Sequence, residues 1–325
     1  MIKDSNTLFD RVHDLDYNCY ISLIGTMEVG RCCARLMSVT EREKRQIDFE
    51  LAYARINSKV LLKWRYMGKD MIDYTRRSAK YGKYIRTYRD PELSLLMLET
   101  LGLNVQFKAL DLGCGQGDSS RHLRAIGADV FYADLNFSML SRGIKRGLIP
   151  RDKAIMCDIA GKLPFKNNTF DLAVLRYVLH DVKDKKALLT EIYSLLKPNG
   201  IIQIVDMCCK NTEEKSFYND IHSRKTFGEV SPCWIIMESE LRGFLQDCNF
   251  EVTAKAWYTS VVNSEQWLKE EQISCIRHVE LLQLTKKWLA ESPSIKKAFG
   301  ISLRNSSACF RFPVIVTVGK KKEGE

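Results

Sequence analysis

The chain has 325 residues, 45% of them apolar, enough to bury one large core or two ordinary ones. No apolar run approaches the ~18–20 residues of a membrane span, and the polar start has no apolar segment behind it, which argues against insertion and secretion. The net charge is +10, and from Glu41 to Arg89 fourteen Lys or Arg face six Asp or Glu, so the basic excess sits in one segment.

Residues 1–103 read as a helical N-terminal region. Apolar positions Ile47, Leu51, Ala54 and Leu61 space out one helix over Glu41–Trp64, with Thr40 and Glu43 as its capping box. A second helix spans about Lys69–Tyr88, weakened by Gly82. Asp90-Pro91 stops it, and Pro91 opens a third helix through Leu101 with Gly102 as its cap. Tyr74, Tyr81, Tyr84 and Tyr88 fall on one arc of ~80° of the second helix, next to Arg76, Lys80 and Lys83. That face suits RNA, by base stacking and phosphate pairing. It also suits an acidic substrate, or plain packing on the catalytic domain with solvated cations.

From Val105 the pattern changes. Apolar runs at Phe107–Leu112, Val130–Ala133, Ala154–Cys157, Leu172–Leu175 and Ile201–Asp206 alternate with helical segments at Ser119–Ile126, Ser138–Arg146 and Lys185–Leu196. Two further runs, Val252–Trp257 and Pro313–Val318, complete seven strands. The alternation predicts an α/β fold: a doubly wound, mostly parallel, seven-stranded sheet, Rossmann-like, over residues 104–320. Segments 207–237 and 263–308 read as lid insertions, the second of them helical. The first carries Phe217, Tyr218, His222, Phe227 and Trp234, which could wall a pocket.

Eleven scattered cysteines include no Cys-x-x-Cys, so neither a zinc site nor a disulfide framework is expected and a reducing cytoplasm is the simplest compartment. Asp206 is a carboxylate at a strand end without a second acidic residue close behind, so no metal is expected there either.

The informative turn is Asp111-Leu112-Gly113-Cys114-Gly115-Gln116-Gly117-Asp118. It follows a strand and precedes a helix, and its glycines let backbone approach a ligand. A dinucleotide fingerprint would need a glycine where Asp118 stands, which disfavours an NAD-dependent oxidoreductase. Asp118 itself reads as a helix N-cap. Two nearby carboxylates, Asp111 and Asp118, suit a cationic ligand better than a pyrophosphate.

In these residues the chain resembles the class I S-adenosylmethionine-dependent methyltransferases. The resemblance continues in Asp134-Leu135-Asn136-Phe137-Ser138-Met139-Leu140, in Asp158, in Leu163-Pro164-Phe165 and in Leu195-Leu196-Lys197-Pro198-Asn199-Gly200. Its detail is nearest to the ubiquinone/menaquinone C-methyltransferase-like, type 11 branch. It implies that S-adenosyl-L-methionine is bound by Asp111, Gly113, Cys114, Gly115, Gly117, Asp134, Leu135, Asp158, Ile159 and Leu175. Asp134 would take the ribose hydroxyls, Asp158 and the Ile159 N–H the adenine edge, and Leu135 the adenine face. Asp111 would brace the loop and favour the methionyl ammonium.

Catalytic candidates are His180, Tyr177 and His222, with His180 read either as a general base or as a cap and pocket wall. The strand before His180 ends without Asp/Asn-Pro-Pro-Tyr, which argues against base-amine methylation, and Pro232-Cys233 lies after the fifth strand and carries no weight. The expected function is methyl transfer to a small-molecule acceptor. An RNA- or protein-modifying enzyme docking through 69–89 is the alternative, and a homodimer through the N-terminal region stays open. A cofactor-binding protein without methyl transfer is a third class.

Overall fold

A computed structural model describes residues 90–102, 107–222, 234–271, 275–304 and 307–322. The chain divides into two units, Met1–Lys69 and Asp70–Glu325, and every described residue lies in the second. The helices expected over 41–88, the tyrosine-rich segment 69–89, Phe227 and Pro232-Cys233 lie outside the described residues.

Helix α1 (Pro91–Leu101) starts where the sequence requires. The Asp90 carboxylate accepts from Glu92 N at 2.9 Å, Pro91 fills the first turn, and Gly102 ends the helix at φ 60°. Leu93, Met97 and Leu101 are buried on the sheet. Gln203 on the fifth strand donates through Nε2 to Met97 O at 2.7 Å. The sequence reading assigns α1 to the N-terminal region; its apolar face and this hydrogen bond make it part of the sheet's core.

After α1 come β1 (Lys108–Leu112), α2 (Arg121–Ala125), β2 (Asp129–Asp134), α3 (Phe137–Lys145), β3 (Ala154–Met156), β4 (Phe170–Arg176), α4 (Lys185–Leu195) and β5 (Leu196–Cys209). The second half runs α5 (Thr212–Ile221), β6 (Ile236–Met237), α6 (Glu238–Asp247), β7 (Phe250–Asn263), α7 (Ser264–Glu271), α8 (Cys275–Glu291), α9 (Pro293–Ala298), β8 (Ser302–Arg304) and β9 (Ser307–Lys321). The sheet order is β3-β2-β1-β4-β5-β9-β7, with β6 beside β5 and β8 beside β9. The first five strands are parallel, and β9 is antiparallel to both its neighbours. This is the expected doubly wound architecture.

Both faces of the sheet are covered. Leu110, Leu112, Leu175, Ile202 and Ile204 pack against α4 and α6 through Leu188, Leu189, Ile192, Leu241 and Leu245. On the opposite face, Ala109, Val174, Val205 and Val316 meet Leu93, Met97, Leu123 and Leu140. Alternation along each strand thus feeds two cores, as a sheet buried on both sides demands. A third cluster is aromatic. Phe217, Tyr218, Trp267, Phe299, Phe310 and Phe312 join α5, α7, α9 and the first half of β9. Their edge-to-face and stacked pairs add ~0.5–1.5 kcal/mol each beyond area burial. The helical insertion before the last strand is present as α7, α8 and α9.

Several boundaries differ from the sequence reading, and β5 starts five residues before the expected Ile201 and ends three after Asp206. Helix α2 begins at Arg121 instead of Ser119, because Ser119 and Ser120 turn their hydroxyls onto Asp111 instead of capping a helix. β7 and β9 run well beyond Val252–Trp257 and Pro313–Val318, since they pair from Phe250↔Lys321 to Asn263↔Cys309 with one register shift between Val252 and Ala254. The Pro198-Asn199-Gly200 turn does carry a left-handed residue, Asn199 at φ 61°. Among the described residues no helix is long and apolar enough to cross a membrane.

Candidate functional site

Parallel strands bring their C-terminal ends to one edge, where ligands of open α/β sheets bind. At the end of β1, Asp111 is almost wholly buried. Its Oδ2 accepts from Ser119 Oγ at 2.6 Å and Ser120 Oγ at 2.5 Å, while its Oδ1 has no partner among the described residues. Burial pushes the carboxyl up to about 6, against the pull of the two serines and the Arg176 charge.

The loop after Asp111 is shaped by its glycines. Gly113 adopts φ 67°, and a Cβ there would stand 2.4 Å from Val178 Cγ2. Gly117 adopts φ 80°, with Ile149 Cγ1 2.6 Å from the place of a Cβ. Both positions forbid a side chain on two counts. Gly113 N and Cys114 N donate to Ala133 O at 2.8 and 3.1 Å, which ties the loop to β2. The Cys114 thiol is buried, and burial raises it, so it stays a neutral wall.

Asp134 ends β2. Its Oδ2 accepts from Gly115 N and its Oδ1 from Asn136 N, both at 2.7 Å. Burial raises its carboxyl, and backbone N–H groups of Asn136, Gly115 and Leu135 pull it back. A carboxylate offers about four acceptor positions, so further donors can be taken. Asn136 also caps α3, accepting from Met139 N at 3.1 Å. Asp158, past β3, accepts from Ala160 N at 2.9 Å and so braces its own turn, and Ile159 packs at the edge of the core. Leu135 is half-buried, whereas Leu175 lies entirely within the core. Asp118 is not an N-cap: Arg146 holds it at 2.8 and 2.9 Å.

Beyond β4 the chain turns sharply. Tyr177 adopts φ 56°, its N–H held by Val205 O at 2.8 Å. The buried Arg176 places its guanidinium centre 5.8 Å from the Tyr177 ring. His180 Nδ1 lies 2.7 Å from Asp206 Oδ1, its backbone N–H donates to Asp206 Oδ2 at 3.1 Å, and its Nε2 stands 3.5 Å from Asp181 Oδ1. Burial pulls this imidazole down, but the Asp206 and Asp181 charges outweigh it and lift it to about 9. The two neighbouring carboxylates favour the protonated, cationic form of the ring. Asp206 is likewise engaged by His180 and by Met207 N at 2.8 Å.

The His180 ring meets that of His222 at 6.4 Å, and His222 stacks on Tyr218 at 5.4 Å and tilts against Trp267 at 5.2 Å. Tyr218 Oη donates to Met207 Sδ at 2.9 Å, and Trp234 N donates to His180 O at 2.8 Å. Aromatic rings from α5 and α7 thus gather beside the ends of β4 and β5.

The imidazolium has a pH consequence. Its stabilisation is fully present below pH 6.5 and is lost as pH rises through about 9. His180→Leu, which strands Asp206, is expected to lower unfolding stability by ~3 kcal/mol near pH 7. Thermal denaturation from pH 6 to 10 should show the gap to the parent protein closing above pH 9. A gap independent of pH would mean that the ring is neutral.

The site is thus a glycine cradle closed by Asp134, over a buried acid with one oxygen unpartnered among the described residues. The methyltransferase domain family, type 11, matches residues 110–204. This domain belongs to the class I S-adenosylmethionine-dependent methyltransferases. The ubiquinone/menaquinone biosynthesis C-methyltransferase UbiE of Xylella fastidiosa (strain M23) is 34% identical over 123 residues, 36% of this chain and 48% of the relative. The protein of that name from Cellvibrio japonicus is 34% identical over 133 residues, 39% and 53% of the two chains. The chain thus spans about half the length of the curated relatives it matches. In fold, the domain is similar to the YcgJ protein of Bacillus subtilis, at TM-score 0.62 and 19% identity, over 72% of this chain and 100% of the other.

The residues of the methyltransferase domain fit the family's cofactor on their own chemistry. A loop that tolerates no Cβ accepts close backbone approach, and the Asp111 oxygen without a donor suits an ammonium. The sequence reading missed Gly143 and Arg146 on and after α3 as loop neighbours. Their signal is three-dimensional, since each meets residues almost thirty positions away.

Proposed function

We propose that this chain transfers the methyl group of S-adenosylmethionine to a small-molecule acceptor. The observation that carries it is the sharing of one sheet edge by two features: the glycine cradle with Asp111 and Asp134, and the aromatic group around His180. Bound in the cradle, S-adenosylmethionine supplies a methyl group already activated on a sulfonium. In this reading Asp134 holds the ribose hydroxyls, Asp111 the ammonium, and Asp158, Ile159 and Leu135 frame the adenine. Gly113, Cys114, Gly115 and Gly117 provide the backbone floor.

The protein's work is then orientation and exclusion of water. Fixing two reactants in line contributes ~7–11 kcal/mol, and no catalytic triad is required. His180 orients the turn after β4 through Asp206 and walls the acceptor side, with Tyr177 and His222 flanking it. Stacking of His222, Tyr218 and Trp267 favours an uncharged, ring-bearing acceptor. The relatives' names, which concern ubiquinone/menaquinone biosynthesis, also support a small-molecule acceptor.

Calorimetric titration with S-adenosylmethionine, S-adenosylhomocysteine and NAD tests the reading. Binding of the first two at micromolar Kd and no binding of NAD is expected. Absence of binding by both sulfur ligands would overturn it.

A further inference from the structure

Helix α3 lies along the glycine loop and meets it at three places. Just before its start, at the end of β2, Asp134 takes the N–H of Gly115 and of the N-cap residue Asn136, each at 2.7 Å. In its last turn, Gly143 permits close approach, since a Cβ there would stand 2.7 Å from Gln116 O. Just past its end, Arg146 reaches back. Its Nη1 donates to Gln116 Oε1 at 2.7 Å and Asp118 Oδ2 at 2.8 Å, and its Nη2 to Asp118 Oδ1 at 2.9 Å. The Asp118 side chain is only 5% exposed, whereas that of Arg146 is 32% exposed. Gln116 is buried and donates through Nε2 to Met139 Sδ on the same helix at 3.8 Å.

We propose that Arg146 is a positioning residue for the cofactor, clamping the segment Gly115–Asp118 to α3 in the conformation that receives S-adenosylmethionine. The inference rests on the methyltransferase reading above. A guanidinium fork on a carboxylate fixes orientation as well as distance, which an ammonium cannot do. The clamped segment needs such fixing, because its glycines have many alternative conformations when unrestrained. Without the clamp, binding must first order the loop, and the cost appears as lost affinity. Removing the guanidinium also strands the nearly buried Asp118 carboxylate and costs some global stability. The clamp is therefore read from an effect on the loop and the ligand beyond that shared cost.

The test compares the parent protein with Arg146→Ala and Arg146→Lys, first without ligand. Amide hydrogen exchange should quicken at Gly115 and Gly117 in Arg146→Ala about tenfold or more beyond any quickening at the amides of β1 and β4. Titration with S-adenosylhomocysteine should then show Kd rising about tenfold for Arg146→Ala and by less for Arg146→Lys. If the parent binds and Arg146→Ala matches it in both exchange and Kd, the clamp is refuted and the methyltransferase reading survives. Exchange that quickens equally in the loop and across the whole sheet would also refute it, making Arg146 a residue of the general fold. A parent protein that binds no S-adenosylhomocysteine would overturn the methyltransferase reading, and this proposal with it.

Discussion

Asp134→Ala is expected to weaken S-adenosylhomocysteine binding by at least ~100-fold while the protein still unfolds cooperatively. Two losses combine. The carboxylate would no longer accept from the ribose hydroxyls, and each hydrogen bond to a charged group contributes ~1.5–3 kcal/mol. Gly115 N–H would also lose its acceptor at 2.7 Å, which loosens the loop before ligand arrives. Stability suffers less than affinity, because burial already opposes the ionised form of this carboxyl. Asp134→Asn keeps one acceptor oxygen and should fall between the two. Calorimetry and thermal denaturation on the same samples decide the matter. Affinity within threefold of the parent would remove Asp134 from the ribose site. A non-cooperative melt would move its role to the fold.

What the sequence disclosed follows from the range of the interactions involved. The turn after β1 was legible because glycine spacing is a local demand: Gly113 and Gly117 must be glycine for backbone reasons that any neighbour would impose. Five parallel strands were legible from apolar runs between amphipathic segments. The lengths of β7 and β9 were not, since each is extended by a partner about fifty residues away in the chain. β6 and β8 have two and three residues and carry no periodic signal.

The same division holds at the site. Asp118 read as an N-cap because its partner Arg146 lies 28 positions on, behind a helix. His180 is open between base and wall in the sequence because histidine after the fourth strand is a local pattern. The partner that raises its pKa is Asp206, 26 positions away on β5. Local rules therefore placed the residues, and long-range pairing decided what they can do.

Asp111→Asn should separate stability from affinity in opposite directions. Burial lifts this carboxyl to about 6, well above its ordinary range, so between pH 4 and 6 the folded protein holds a proton that the unfolded chain releases. Its contribution to stability is present below pH 4 and lost as pH rises through 6. Above that, the buried charge costs about 3 kcal/mol, and an amide in its place does not. The ligand-free variant should then melt at or above the parent's temperature at pH 8, and below or level with it at pH 4. An amide oxygen still accepts from Ser119 and Ser120, which keeps the turn together.

Affinity follows the other sign. The ionised form is the one that attracts an ammonium, so the parent's affinity for S-adenosylhomocysteine should climb as pH rises through about 6. The variant should bind about tenfold more weakly at pH 8, a difference of one charge-assisted hydrogen bond, with no climb. Parallel affinity profiles for the two proteins would detach Asp111 from the ammonium. A buried acid retained at a cost in stability, with one oxygen left without a donor, is what a site for a cationic ligand requires: the ligand supplies the compensation that the folded chain withholds.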